Sequence, residues 1–209
     1  MIKNENLSLK RRVGIYGGTF SPPHLGHVHA ASAFLQEARL DELLIVPTFV
    51  TPLKMRAECT SPDDRLAMCR RAFDFSPKVS ISDIEIRREG KSYTAETLLQ
   101  LAKEDTRLVF LCGTDMFLTM DTWYDPKTIF RLAEIACMRR EATVENTKAL
   151  AIKAEEYKRK YGAEVAFLET LPKEMSSSEI RERLQRGEST EAYLPVSVAE
   201  YIKERGLYL

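Results

Sequence analysis

A short apolar run, Val13–Tyr16, ends at two adjacent glycines and leads into a helical pattern that opens with two histidines. Glycines after a strand let other atoms approach the backbone closely, and a helix that begins there points its free N–H groups at the same place. His24 and His27 are three residues apart, so both imidazoles can face one anion. The segment predicts a strand–turn–helix unit with a phosphate site at its turn.

A purely structural role for this turn is the alternative, because many strands end at glycines where nothing binds. The distribution of histidines favours the phosphate site, since the chain has 3 and all of them lie between positions 24 and 29. His29 falls on another side of the helix from His24 and His27, and we expect it to be an ordinary, partly exposed residue.

Strand-like and helix-like segments alternate along the 209 residues, which predicts parallel βαβ units with helices on both faces of a sheet. We therefore expect an α/β fold, a single Rossmann-like doubly wound domain over residues 1–209 with a mainly parallel sheet. Within it, Val79–Ile86 alternates like a strand, and Glu141–Tyr161 is expected to be a solvated surface helix. Residues 1–10 are expected to be a flexible N-terminus, and residues 176–209 to provide helices that complete the nucleotide site.

The charges balance, with 31 Lys and Arg against 31 Asp and Glu, so no global field attracts nucleic acid or a membrane surface. The N-terminus has no apolar signal core, and no run approaches the roughly 18 apolar residues of a membrane span. The 4 cysteines are widely separated and fit neither a zinc site nor a disulfide framework. We expect a cytoplasmic protein without nucleic-acid or membrane partners; its oligomeric state is left open.

A second phosphate-binding candidate lies far along the chain, where a helical pattern begins with Ser176, Ser177 and Ser178. Hydroxyls at a helix start, with Arg181 one turn further on, can donate hydrogen bonds to the distal phosphates of a nucleotide. A plain serine N-cap with a surface arginine explains the same residues. Their pattern alone leaves both interpretations open.

The first segment strongly resembles the HxGH signature of the nucleotidyltransferase superfamily, and Met175–Arg181 is similar to its ISSTxIR signature. Members transfer a nucleoside monophosphate from a triphosphate with loss of pyrophosphate. The resemblance implies that His24 and His27 stabilise charge at the α-phosphate, and that Mg²⁺ arrives with ATP, since the sequence shows no carboxylate cage for a metal. It also implies an ATP site formed by Gly17, Gly18, Thr19, Phe20, Gly26, Gly113, Asp115, Ser176, Ser177, Ser178 and Arg181.

Two further segments resemble the bacterial nicotinate-nucleotide adenylyltransferases, and this resemblance extends over nearly the whole chain. Ser92–Leu98 is similar to the family's SYTxxTL segment, and Gly113-Thr114-Asp115 with Trp123 to its GxD followed by Trp. The resemblance implies AMP transfer from ATP to nicotinate mononucleotide, the nicotinate carboxylate lying near Tyr93 and Thr94 and the pyridine ring on Trp123. The implied acceptor site comprises Lys54, Tyr93, Thr94, Trp123 and Arg139.

Some positions depart from the family's pattern. Ser21 and Pro23 stand where the family has Asp or Asn and an aliphatic residue, and Arg139 is not followed by the usual Pro-Gly. The shared ATP site does not identify the acceptor, so nicotinamide mononucleotide and phosphopantetheine are alternatives, and a nucleotide-binding module without turnover is a third. The loop from Pro47 to Ser61 is long and polar enough to close over a substrate.

Overall fold

The computed structural model describes residues 10–50, 60–139 and 143–208. Within them the chain forms a six-stranded sheet in the order β3-β2-β1-β4-β5-β6, and every neighbouring pair of strands is parallel. The predicted α/β doubly wound fold is confirmed. The strands are β1 Arg11–Gly18, β2 Glu42–Pro47, β3 Val79–Ile81, β4 Thr106–Gly113, β5 Ala133–Met138 and β6 Val165–Leu168.

Helices follow the strands and cover both faces of the sheet, each face over its own buried apolar cluster. A single 3₁₀ turn, Met120–Thr122, follows α5 in the described chain. The helices are α1 Leu25–Glu37, α2 Pro62–Ala72, α3 Ile84–Arg88, α4 Thr94–Leu101, α5 Thr114–Thr119, α6 Pro126–Leu132, α7 Val144–Tyr161, α8 Ser177–Gln185 and α9 Val196–Arg205. None of these helices has both the length and the apolar character needed to cross a membrane.

The strand order reverses between β1 and β4. Ile15 in β1 pairs with Leu44 of β2 on one side and with Phe110 of β4 on the other. Connections leave a doubly wound sheet in opposite directions at such a point and open a crevice beyond the carboxyl ends of the strands. The turn after β1 therefore begins in the crevice where ligands of this architecture bind.

The strand predicted over Val79–Ile86 is wrong in its second half, because β3 ends at Ile81 and α3 begins at Ile84. Ile84 and Ile86 continued the alternation, but Glu85 between them is buried and accepts a hydrogen bond from Thr97. The long surface helix is described from Val144 onward. Residues 1–9 and 51–59, with the predicted flexible terminus and most of the predicted closing loop, lie outside the described residues.

Candidate active site

The turn after β1 is fixed by close packing around Gly18. A Cβ on Gly18 would lie 2.8 Å from the Phe20 ring, so only glycine fits beside it. Phe20 itself has φ 50°, which is unusual for a residue with a side chain, and its ring is 1% exposed against Tyr16 and Phe73. The aromatic packing holds the turn in this conformation.

His24 and His27 form a reciprocal cap at the start of α1. The backbone N–H of His27 donates to Nδ1 of His24 at 3.3 Å, and the backbone N–H of His24 donates to Nδ1 of His27 at 3.2 Å. Because each Nδ1 accepts a hydrogen bond, the hydrogen of each neutral ring is on Nε2. The rings stack with centroids 3.6 Å apart, so the chain presents two neighbouring Nε2–H donors.

Burial lowers the pKa of His24 from 6.5 to about 4. His24 is therefore neutral at physiological pH and acts there as a hydrogen-bond donor without a charge. Gly26 lies between the two histidines, and a Cβ there would be 3.0 Å from Nδ1 of His24 and 3.1 Å from the Lys173 carbonyl. The third histidine, His29, is partly exposed, and its Nε2 lies 3.0 Å from the carbonyl of Leu171.

A cavity of about 360 Å³, here called the His24 cavity, opens beside these rings. Its one carboxylate among the described lining residues belongs to Asp115. Across the part of the chain that the structure describes, no three His, Cys, Asp or Glu side chains converge as a metal site would require. Mg²⁺ prefers oxygen ligands, so Asp115 is the described lining residue whose carboxylate could contact Mg²⁺ carried by a ligand. The lining includes Gly17, His24, Gly26, His27, Gly113, Thr114, Asp115, Lys173 and Met175.

The start of α8 packs directly against the loop that precedes His24. Ser177 donates through Oγ to the carbonyl of Pro22 at 2.9 Å, and Arg181 donates to the carbonyl of Ser21 at 2.8 Å. Ser176 caps α8 by accepting from the backbone N–H of Glu179, and Arg181 also donates to Ser178 at 3.3 Å. These residues lie next to the histidine loop and hold it in place.

A larger cavity of about 460 Å³, here called the Trp123 cavity, lies on the other side of the β1 turn. The rings of Tyr93 and Tyr124 lie against each other at this cavity, with centroids 4.4 Å apart and planes tilted by 30°. Tyr93 is the N-cap residue of α4 and makes no side-chain cap, so its side chain leaves the backbone N–H groups of Thr94 and Ala95 at the helix start uncapped. The lining includes Gly17, Gly18, Thr19, Thr48, Glu85, Ser92, Tyr93, Thr94, Thr97, Trp123 and Tyr124.

Three buried polar atoms of the Trp123 cavity have no hydrogen-bond partner among the described residues: Nε1 of Trp123, Oγ1 of Thr48 and Oε2 of Glu85. Burying such atoms without partners is costly, and in native structures they usually face water or a ligand. The other oxygen of Glu85 accepts from Oγ1 of Thr97 at 2.5 Å. The cavity is therefore apolar in its walls and carries a few uncommitted donors and acceptors, as ligand sites do.

The structure brings most of the predicted site residues to these two cavities, which share Gly17, Phe110 and Met116 in their walls. The ring of Phe20 lies in the core, so only its backbone is left to meet a ligand. Arg139 lines neither cavity and pairs with Glu169 at 3.1 Å. Lys54 lies outside the described residues.

Sequence reasoning missed Thr48, Glu85 and Tyr124 as residues of the Trp123 cavity. Glu85 fell inside a predicted strand, where an outward-facing carboxylate is unremarkable. Thr48 lies in the loop from Pro47 to Ser61 that was predicted to close over a substrate, but nothing in the sequence distinguishes it from the other polar residues there. Tyr124 directly follows Trp123 and lines the same cavity. Its position beside a predicted ring-stacking residue was the signal available for it.

Comparison with known proteins agrees with this geometry. The family model described as cytidylyltransferase-like matches residues 15–183, which include the β1 turn, both histidines and Arg181. The chain belongs to the cytidylyltransferase-like family. It is thus a nucleotidyltransferase, and the predicted superfamily is confirmed.

Curated relatives of this nucleotidyltransferase cover almost its whole length. A probable nicotinate-nucleotide adenylyltransferase of Lachnoclostridium phytofermentans is 34% identical over 201 residues, 95% of this chain and 100% of the relative. One of Gemmatimonas aurantiaca, with the same description, is 36% identical over 199 residues, 94% of this chain and 92% of the relative.

Solved structures share the fold at lower sequence identity. Plasmodium falciparum nicotinic acid mononucleotide adenylyltransferase complexed with NaAD superposes with a TM-score of 0.71 at 18% identity, covering 95% of this chain and 97% of that chain. At this identity the likeness supports the fold alone. The assignment to the family rests on the family model and the curated relatives.

Proposed function

We propose that this nucleotidyltransferase transfers AMP from ATP to nicotinate mononucleotide, forming nicotinate adenine dinucleotide and pyrophosphate. The observation that carries the proposal is the meeting of the two cavities at Gly17. One cavity presents paired imidazole donors at a helix start, and the other presents aromatic walls with uncommitted polar groups. Two nucleotides bound on either side of the β1 turn would have their phosphates at the same place.

The reaction requires no protein nucleophile. A phosphate oxygen of nicotinate mononucleotide attacks the α-phosphorus of ATP, the bond from that phosphorus to the bridging oxygen breaks, and pyrophosphate leaves with the electron pair. Nε2–H of His24 and Nε2–H of His27 donate to the α-phosphate oxygens as negative charge develops there. Each such preorganised donor contributes about 2.7–4 kcal/mol to the transition state. Mg²⁺ carried with ATP would neutralise phosphate charge.

We assign the acceptor to the Trp123 cavity. An electron-poor pyridinium ring suits the negative face of an indole, and a carboxylate suits the free amides at the start of α4 near Thr94. The curated relatives are described as acting on the nicotinate nucleotide, which favours the acid over its amide. Lys54 and Arg139 remain predicted acceptor contacts.

The C-terminal residues 176–208 are proposed to complete the ATP site within one domain. Support comes from Ser177 and Arg181, which hold the loop before His24, and from Tyr208, whose hydroxyl lies 2.9 Å from Oγ of Ser21. Asp64 on α2 accepts from Tyr201 at 2.8 Å and from Arg205 at 3.3 Å, which fastens α9 to the body of the fold.

The test is pyrophosphate release from ATP and Mg²⁺ with nicotinate mononucleotide, nicotinamide mononucleotide or phosphopantetheine as acceptor. His27→Ala is measured beside the parent chain, and His29→Ala on the same helix is the matched control. We expect release with the acid nucleotide, collapse in His27→Ala and parental activity in His29→Ala. Release with another acceptor would overturn the acceptor assignment. No release with any of the three acceptors would favour a nucleotide-binding module without turnover.

A further inference from the structure

Arg65 is the largest side chain in the described core with almost no exposure, at 1%, and it carries a charge. It projects from α2, outside both cavities. A buried guanidinium requires acceptors around it, because leaving a charge buried without hydrogen bonds is very costly. The described acceptors of Arg65 are three backbone carbonyls that belong to two different loops of the site.

The first loop is the turn after β1. Nη1 of Arg65 donates to the carbonyl of Thr19 at 3.0 Å. The second loop follows β2. There Nη1 of Arg65 donates to the carbonyl of Thr48 at 2.6 Å, and Nη2 donates to the carbonyl of Phe49 at a longer distance of 3.4 Å. One planar guanidinium therefore bridges the turn after β1 and the segment after β2, beside a direct hydrogen bond from the backbone N–H of Thr48 to the carbonyl of Gly18 at 2.9 Å.

The segment after β2 is in turn tied to the acceptor side. The backbone N–H of Phe49 donates to Oγ of Ser92 at 2.9 Å, and the backbone N–H of Ser92 donates to the carbonyl of Val50 at 2.9 Å. Ser92 directly precedes Tyr93 and Thr94. A continuous chain of hydrogen bonds thus runs from Thr19 through Arg65 and residues 48–50 to the start of α4.

We propose that Arg65 is a positioning residue that holds the turn leading to His24 in register with the wall of the Trp123 cavity for in-line transfer. The proposal rests on the proposed function and deepens it. Arg65 itself lines neither cavity, so a nucleotide in either one loses no direct contact when Arg65 is replaced. What changes is the distance and angle between the attacking oxygen and the α-phosphorus, and a misplacement of about 1 Å costs on the order of 10²-fold in rate.

Arg65→Lys tests this, because lysine keeps the charge but has one nitrogen and cannot span carbonyls of two loops in a fork. We expect kcat to fall on the order of 10²-fold while the dissociation constants of the separate nucleotides change by less than about threefold. The chain has 1 tryptophan, Trp123, so quenching of its fluorescence reports acceptor binding directly. Arg70→Lys, exposed on the same helix, is the matched control and should match the parent.

Ser92→Ala removes the side-chain hydrogen bond between Ser92 and Phe49, at the other end of the chain of hydrogen bonds that includes Arg65. This second variant tests the proposal if Arg65→Lys does not fold. We expect a kcat loss of about tenfold with ATP binding near the parental value. The positioning role is overturned if Arg65→Lys folds and keeps the parental kcat. If Arg65→Lys does not fold, parental kcat in Ser92→Ala overturns it. A loss of binding with unchanged kcat also overturns it. A parent chain that turns over no acceptor instead contradicts the proposed function itself.

Discussion

The two cavities differ in how their polar groups are held. In the His24 cavity both imidazoles are fixed by backbone N–H groups of their own helix, so the donors are aimed before any nucleotide binds. In the Trp123 cavity the polar groups come from five separate segments, and three buried polar atoms have no partner among the described residues. We therefore expect the His24 cavity to provide hydrogen-bond donors that are already in place for the reaction. We expect the Trp123 cavity to select the acceptor, which would itself supply the missing hydrogen-bond partners.

The largest expected effect separates the chemical role of His24 from its capping role. His24→Ala removes the donor and the cap, so we expect kcat to fall by about 10²–10³-fold and stability to fall by about 1 kcal/mol. His24→Asn can still cap α1 with its short side chain but does not extend a donor to the same place. It should lose a similar amount of kcat at near-parental stability, measured by urea unfolding. Equal stability losses in both variants would contradict separate catalytic and capping roles for His24.

Burial of His24 also predicts a pH dependence of stability. Its pKa is lowered from 6.5 to about 4, so in this window the unfolded chain binds a proton that the folded chain does not. The stabilisation from neutral His24 is complete above about pH 6.5 and is lost as pH falls toward 4, by up to about 3 kcal/mol. Unfolding free energies measured across this range should decline less steeply in His24→Asn, and an unchanged slope would contradict the assignment.

Trp123→Ala should impair only the acceptor side. Removing the ring eliminates the proposed stacking surface, so KM for nicotinate mononucleotide should rise by about tenfold or more while KM for ATP stays within about twofold. Trp123→Phe keeps an aromatic face and should recover most of the loss. Steady-state kinetics with each substrate varied in turn checks this. An equal rise in both KM values would show that the cavities are not separate.

The smallest effect concerns the support of Trp123. The hydroxyl of buried Tyr157 contacts the carbonyl of Phe117 at 2.8 Å and a carboxylate oxygen of Asp121 at 3.0 Å, which fastens the 3₁₀ turn just before Trp123. Tyr157→Phe should lower stability by about 1 kcal/mol and raise KM for the acceptor by about threefold. Tyr161→Phe on the same helix is the control. A rise in KM for ATP, with KM for the acceptor unchanged, would contradict the assignment of this support to the Trp123 cavity.

The sequence was sufficient for the pair of histidines because the two residues are close together in the chain. His24 and His27 lie three apart on one helix, and the preceding strand and glycines determine where that helix begins. The acceptor side was only partly predictable, since Tyr93 and Trp123 were found through resemblance while Thr48 and Glu85 meet them only after the sheet forms. Arg65 carried no signal in the sequence, because an arginine in a polar helical stretch resembles any surface residue until its burial is known.

The most direct test of the separate roles of the two cavities is acceptor binding in His27→Ala. Nicotinate mononucleotide is titrated into the parent chain and the variant while Trp123 fluorescence is followed, and single-turnover formation of the dinucleotide is measured in the same preparations. We predict dissociation constants that agree within about twofold and a rate of product formation about 10²–10³-fold lower in the variant. Weakened acceptor binding that accounts for the lost rate would contradict the separation of the two cavities.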